Sequence, residues 1–373
     1  MKVVAAIDSF KGSMTSMEAG NAVKRGILAA KPDAEVWLSP LADGGEGTVD
    51  ALIEGLGAEK IPVTVTGPLG EKVLCYYGFL EETKTAVMEM ASAAGITLVT
   101  KKDPLRASTY GVGEMIADAL KRGCKNFMIG IGGSATNDGG IGMLKALGFE
   151  FFDEDGNDVG EGAAALAKIT EIRTENKNPL LSSAKFQIAC DVKNPLCGKQ
   201  GATYIFGPQK GVTEEQKEQV DEAMRHYADV TKESLDCDFA DCEGAGAAGG
   251  LGYAFLSYLA GELIPGVELI LQATGLEEKM KNADVVVTGE GRLDAQTVMG
   301  KAPAGVAALA KKYNAKVIAF AGSVAPEAKV CNRAGIDAFF PIVRGVATLE
   351  EAMKKENAME NIAATAEQVF RLL

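Results

Sequence analysis

The sequence predicts an α/β protein of two domains, and three observations carry that expectation. Its 373 residues exceed the roughly 250–300 at which one hydrophobic core stops growing. Apolar strands alternate with helical patterns at both chain ends, as in a parallel, doubly wound sheet. Between those ends lie the turn signals of antiparallel hairpins. The expected arrangement is a Rossmann-like domain whose mostly parallel sheet is built from residues 1–64 and 281–373, with an inserted mixed-sheet domain over 65–280.

The elements follow in order. "KVVAAID" reads as a buried strand, "SMEAGNAVKRGILAA" as an amphipathic helix, and "EVWLSPLAD" as a strand feeding the helix "GTVDALIEGLG". Turns at "GPLGE" and "LEETK" then mark hairpins, and the segment continues as helix "GVGEMIADALKRG", strand "NFMIGIGG", helix "GIGMLKALG" and strand "KFQIACDV". Near the C-terminus "ADVVVTGEG", "AKVIAFAGSV" and "DAFFPIV" are strands separated by the helical patterns "APAGVAALAKKY" and "EAKVCNRAG". A split of this kind places a small-molecule site between the domains.

Composition narrows the function. A net charge of −13 argues against a nucleic-acid or anionic-membrane partner, which needs a basic face. An anionic substrate then needs local cations or a bound metal. Asp8 interrupts any signal-peptide core and "YAFLSYLA" is too short to span a bilayer, so a cytoplasmic location is expected. The seven cysteines form no CxxC pair and read as reduced thiols. The single histidine, His226, sits in a polar helical stretch. Proton transfer therefore falls to carboxylates or lysine.

Ligands of open α/β sheets bind beyond the carboxyl ends of strands, and polar clusters follow several of the predicted strands. "IDSFKGSMTS" offers Asp8, Ser9 and Lys11 before a helix start suited to anions. "PLADGGEGT" sets Asp43 and Glu46 around Gly44 and Gly45, a pattern for Mg²⁺ near phosphate or for a plain turn. "FMIGIGGSATNDGGIG" has the strand–GxGxxA–helix form of a dinucleotide site through Gly130, Gly132 and Ala135. Gly133, Ser134, Thr136, Asn137 and Asp138 complete it. The acidic ribose partner expected after the next strand is missing, since "FEFFDEDGNDV" reads as a hairpin turn. "IACDVKNPLCGKQGAT" contributes Asp191, Lys193 and Asn194, and "VVVTGEGRLDAQT" contributes Gly289, Glu290, Gly291, Arg292 and Asp294. "GAGAAG" at 244–249 also matches GxGxxG, but a poor strand precedes it, and it reads as close helix packing or as a substrate-facing helix start. No GxxxxGK[ST] stretch occurs, nor the glycine-loop and HRD pair of protein kinases.

Taken together, "AIDSFKGSMTS", "LADGGEGT", "GIGGSATNDGG", "CDVKNPL" and "VVTGEGRLDAQT" resemble the bacterial-type glycerate kinase family, the glycerate 2-kinases. The likeness runs through nearly the whole chain. It implies ATP-dependent phosphorylation of D-glycerate, with 2-phosphoglycerate as product, on two α/β domains.

Phosphoryl transfer asks for positioning and charge stabilisation. On that basis Asp191 is assigned as the base, with Asp8 as the alternative. Lys11 and Arg292 neutralise carboxylate or phosphate, Asp43 and Asp294 hold Mg²⁺, and Gly132 to Thr136 cradle phosphate. Ser9, Gly44, Gly45, Asn137, Asp138, Lys193, Asn194, Gly289 and Gly291 are counted with the substrate-binding set. Two rival readings use the same residues: an NAD(P)-dependent hydroxy-acid dehydrogenase, and a non-catalytic sensor of glycerate or nucleotide.

Overall fold

The computed structural model describes residues 1–41 and 48–373. Thirteen strands appear among them. They are β1 (Lys2–Ile7), β2 (Glu35–Pro40), β3 (Glu59–Thr66), β4 (Lys72–Leu80), β5 (Thr85–Glu89), β6 (Asn126–Gly130), β7 (Glu150–Phe152), β8 (Glu171–Arg173), β9 (Lys185–Ala189), β10 (Glu262–Ile264), β11 (Val285–Leu293), β12 (Lys316–Val324) and β13 (Ala338–Pro341). The chain divides into two compact units, one of residues 1–41, 50–57 and 267–373, the other of residues 48–49 and 58–266.

Unit 1 holds a five-stranded, wholly parallel sheet in the order β13-β12-β11-β1-β2. Its central strands are almost uniformly apolar and buried, as two covered faces require. On one face the helix Ser16–Ala30 packs against the C-terminal helix Lys355–Arg371, so Val23, Ile27, Ile362 and Phe370 share a core with Val3 and Ile7. Strand order reverses at the β1/β11 pair. The carboxyl ends of those two neighbours therefore flank the crevice where ligands bind in sheets of this kind.

Unit 2 holds a six-stranded mixed sheet in the order β10-β9-β6-β5-β4-β3. The hairpins β3/β4 and β4/β5 are antiparallel, while β5, β6, β9 and β10 run parallel. The pair β7/β8 forms a separate small ribbon. Aromatic rings fill this core, among them Tyr227 with Tyr253 and Phe127 with Phe186.

Among the described residues the units meet at 49/50, 57/58 and 266/267, where 64/65 and 280/281 were expected. β3 pairs with β4 along its full length and goes with the mixed sheet. The helices Gly266–Ala273 and Leu276–Met280 lie against the helix Ala302–Lys312 of unit 1, Val267 touching the position of Gly305 and Glu277 bonding the Tyr313 hydroxyl at 2.9 Å. Among the described residues no helix is long and apolar enough to cross a membrane.

Candidate functional site

In unit 1 the last residue of β1 is Ile7, and Asp8 follows it directly into the crevice beside β11. The Asp8 amide donates to the Gly289 carbonyl at 2.9 Å, and the Ser9 amide donates to the Asp8 carboxylate at 2.7 Å. A tight turn closed by Phe10 and Met14 then carries Lys11 before Thr15 caps the helix in a capping box with Glu18. From β11, Glu290 is buried and accepts from the Thr297 hydroxyl at 2.7 Å, with the Lys301 ammonium 3.7 Å away. Arg292 lies 3.5 Å from Asp294, whose other oxygen accepts from the Gln296 amide at 2.9 Å.

These groups border one cleft of about 630 Å³. Its polar end brings together Asp8, Lys11, Glu290, Arg292, Asp294 and Lys301, with Ser9, Ser13 and Gly291 beside them. Its lining also includes the apolar side chains Phe10, Ile342, Val343, Ala347, Leu349 and Met353. Gly289, expected in the binding set, has a packing role as well. A Cβ there would stand 2.2 Å from the Phe320 carbonyl, so this glycine serves the close approach of β11 and β12. Asp43, Gly44 and Gly45 lie outside the described residues.

The cleft supplies hard carboxylate oxygens. Among the described residues, no three His, Cys, Asp or Glu side chains converge as a metal cage. That donor set fits Mg²⁺, which uses one or two carboxylates and takes its remaining ligands from water and phosphate.

In unit 2, register places Glu89 of β5 beside Gly130 of β6 and Gly130 beside Ala189 of β9. Glu89, the glycine run and Asp191 consequently leave one edge of the sheet together. Asp191 is exposed, and one of its oxygens accepts from the Gly266 amide at 2.9 Å. Gly132 and Gly133 are exposed, and Gly133 has φ 75°, a backbone region that favours glycine.

Beyond them the run turns inward. Asn137 and Asp138 are fully buried, as is Thr136, while Ser134 is nearly so. Asp138 accepts from the Thr109 amide and hydroxyl at 2.8 Å each, and from the amides of Gly140 and Gly142 at 3.1 and 3.3 Å. Burial pushes its carboxyl above the usual range, against those donors. Its four hydrogen bonds tie it to two helix starts. Asn137 donates to the Thr203 hydroxyl at 3.1 Å. Asn194 closes its own loop on the Gln200 carbonyl at 2.8 Å, and Lys193 pairs with Glu243 at the surface. The "GAGAAG" stretch packs on this run, where a Cβ at Gly249 would meet the Thr136 carbonyl at 2.2 Å. The seven cysteines are unpaired, and His226 bonds the Ile169 carbonyl at 2.7 Å as part of the packing.

The description Glycerate kinase family matches residues 3–373. The chain belongs to the glycerate kinase family. It is 45% identical to the glycerate kinase of Bacillus subtilis, over 99% of this chain and 97% of that protein. It is likewise 45% identical to the glycerate 2-kinase of Escherichia coli K12, over 98% of each. A solved Salmonella typhimurium LT2 structure assigned as glycerate kinase 2 superposes with a TM-score of 0.91 at 43% identity, covering 99% of this chain and 97% of its own. As a glycerate kinase family member the chain is a kinase, and the whole-length matches take in both units.

Three residues at these surfaces escaped the reading of the sequence. Glu89 ends the short strand "TAVME", and the strand-end rule applied to that strand finds it. Lys301 precedes a helix start, as Lys11 precedes another, and "MGKAPAG" carries the same signal. Lys210 has no such signal. It is 2% exposed and donates to the Thr136 carbonyl at 2.7 Å, a contact between residues 74 positions apart.

Proposed function

We propose that the chain transfers the terminal phosphoryl group of ATP to D-glycerate, giving 2-phosphoglycerate and ADP, in the cytoplasm. The observation that carries this reading is the two-sided cleft of unit 1. Three cations and three carboxylates line it together with apolar side chains that suit a nucleobase. Lys11, Arg292 and Lys301 would bind phosphate oxygens, and the helix start at Ala302 adds amide donors. Asp294, and Asp43 from outside the described residues, would hold Mg²⁺ directly or through water. The bound metal supplies charge neutralisation on the phosphates.

Glycerate is assigned to the strand ends of unit 2. There the exposed glycines Gly132 and Gly133 let backbone approach the substrate closely, and Asp191 accepts the hydroxyl proton as the oxygen bonds phosphorus and the bridging oxygen leaves with ADP. The Gly266 amide on its second contact keeps that carboxylate oriented. Asp8 is the competing base, since it stands among the cations of the cleft.

The test combines product analysis with two variants. Phosphorus NMR after incubation with Mg-ATP and D-glycerate should show a new phosphomonoester on carbon 2. Asp191→Asn should lower kcat by about 100-fold or more while leaving ATP affinity unchanged. Lys301→Ala should weaken ATP binding by about tenfold. Near-normal turnover in Asp191→Asn, with loss in Asp8→Asn, would move the base to Asp8. No new phosphorus signal would remove the activity itself.

A further inference from the structure

A lysine as deeply buried as Lys210 is rare, because an ammonium without water is expensive and an apolar side chain of the same length would fit at less cost. Lys210 ends the helix Ala202–Lys210 and directs its ammonium back to the Thr136 carbonyl, two residues beyond Ser134. The surroundings are polar and incompletely satisfied. Among the described residues, the Thr136 hydroxyl and the Asn137 side-chain Oδ1 are buried without a hydrogen-bond partner. Buried polar atoms of this sort mark places where packing has been given up for something else.

The charged groups near Lys210 are few. Asp138, on the run itself, is the one whose field favours its ammonium form. Tyr227, on the helix Lys217–Leu235, faces the same region as a neutral phenol whose ionisation burial opposes. Lys102, from the loop packed on Gly211, is exposed.

We propose that Lys210 is a positioning residue whose ammonium, bound to the Thr136 carbonyl, holds the turn Gly132–Ser134 in the conformation that receives glycerate. Loss of its proton then loosens glycerate capture. The inference rests on the assignment of glycerate to this turn. Burial pulls the Lys210 ammonium down to about 7. A charge-assisted bond to a carbonyl is about twice as strong as its neutral counterpart, so the two protonation states hold the turn differently.

The experiment follows kcat/KM for glycerate against pH. In the wild-type enzyme it should fall as pH rises past about 7, with KM moving more than kcat and the midpoint shifting strongly with temperature as an ammonium does. Lys210→Met should lower kcat/KM at pH 6 by about 10- to 100-fold and abolish that falling limb. A purely structural lysine would lower melting temperature and leave the shape of the profile intact, and that outcome overturns the proposal. If Lys210→Met does not fold, the wild-type profile decides: a flat profile from pH 6 to 9, or a limb without the ammonium temperature dependence, overturns it. Gly132→Val separates the two readings. No atom lies within 4 Å of the added Cβ, so the side chain enters open space at the turn, where it would meet a bound ligand. An unchanged KM for glycerate in that variant removes glycerate from the turn, whatever Lys210→Met shows.

Discussion

Asp138 shows how a residue that looks like a ligand becomes part of the frame. A polar side chain in a glycine-rich turn after a strand suggests contact with substrate, yet four hydrogen bonds and complete burial assign it to the helix starts at Tyr110 and Ile141. Asparagine in its place keeps the shape but turns one acceptor into a donor facing N–H groups. Asp138→Asn should therefore cost about 3 kcal/mol of stability, read as a lower urea midpoint with an unchanged slope. Unchanged stability would mean that the buried charge contributes nothing net. Such a role is invisible in sequence, because it depends on Thr109, which the fold brings in from 29 positions away.

At the scale of elements, the close pairing of the helices Ser16–Ala30 and Lys355–Arg371 hinges on Gly26. A Cβ there would lie 2.1 Å from the Ala363 carbonyl oxygen. Gly26→Ala gains helix propensity but forces the helices apart, so a net loss of about 1–3 kcal/mol is expected in thermal or urea unfolding. A stabilised variant would show that the helices separate freely. The strands themselves were largely legible. "KVVAAID", "NFMIG" and "VVVTGEG" carry continuous apolar runs, and "GPLGE" and "LEETK" carry turn chemistry that the hairpins β3/β4 and β4/β5 use. The ends of elements were legible where a local rule applied, as for Asp8, Lys11, Arg292 and Asp294 in one cleft. What stayed hidden depends on register between distant strands. Glu89 gains its place only because β5 lies beside β6, and the need for glycine at 289 comes only from Phe320 of β12 backing onto it. The junctions shifted for the same reason, since pairing partners and not composition decide where β3 belongs.

At the scale of the whole molecule, the family match extends over both units, so each is part of the common enzyme and not an appendage. Unit 2 carries its own core, in which Tyr77, Phe127, Ile188 and Phe255 are all buried. It is continuous in sequence from residue 58 to 266. A fragment spanning residues 58–266 should consequently resist proteolysis and unfold cooperatively, whereas residues 1–57 alone should be digested. A protease-sensitive fragment would show that unit 2 needs unit 1 to fold.

That arrangement bears on how the protein is made. β1 has β2 on one side and β11 on the other, with Val3 facing Val285 and the Lys2 amide bonded to Asp284 across 282 positions. Ribosomes add about 5–20 residues per second, so the first strand waits roughly 15–60 s for its second neighbour to be translated. For that interval the nascent chain exposes an unpaired edge of the sequence "VVAAI", the kind of segment that recruits other strands. Until β11 is made, pairing with β2 covers only one of the two edges of this strand.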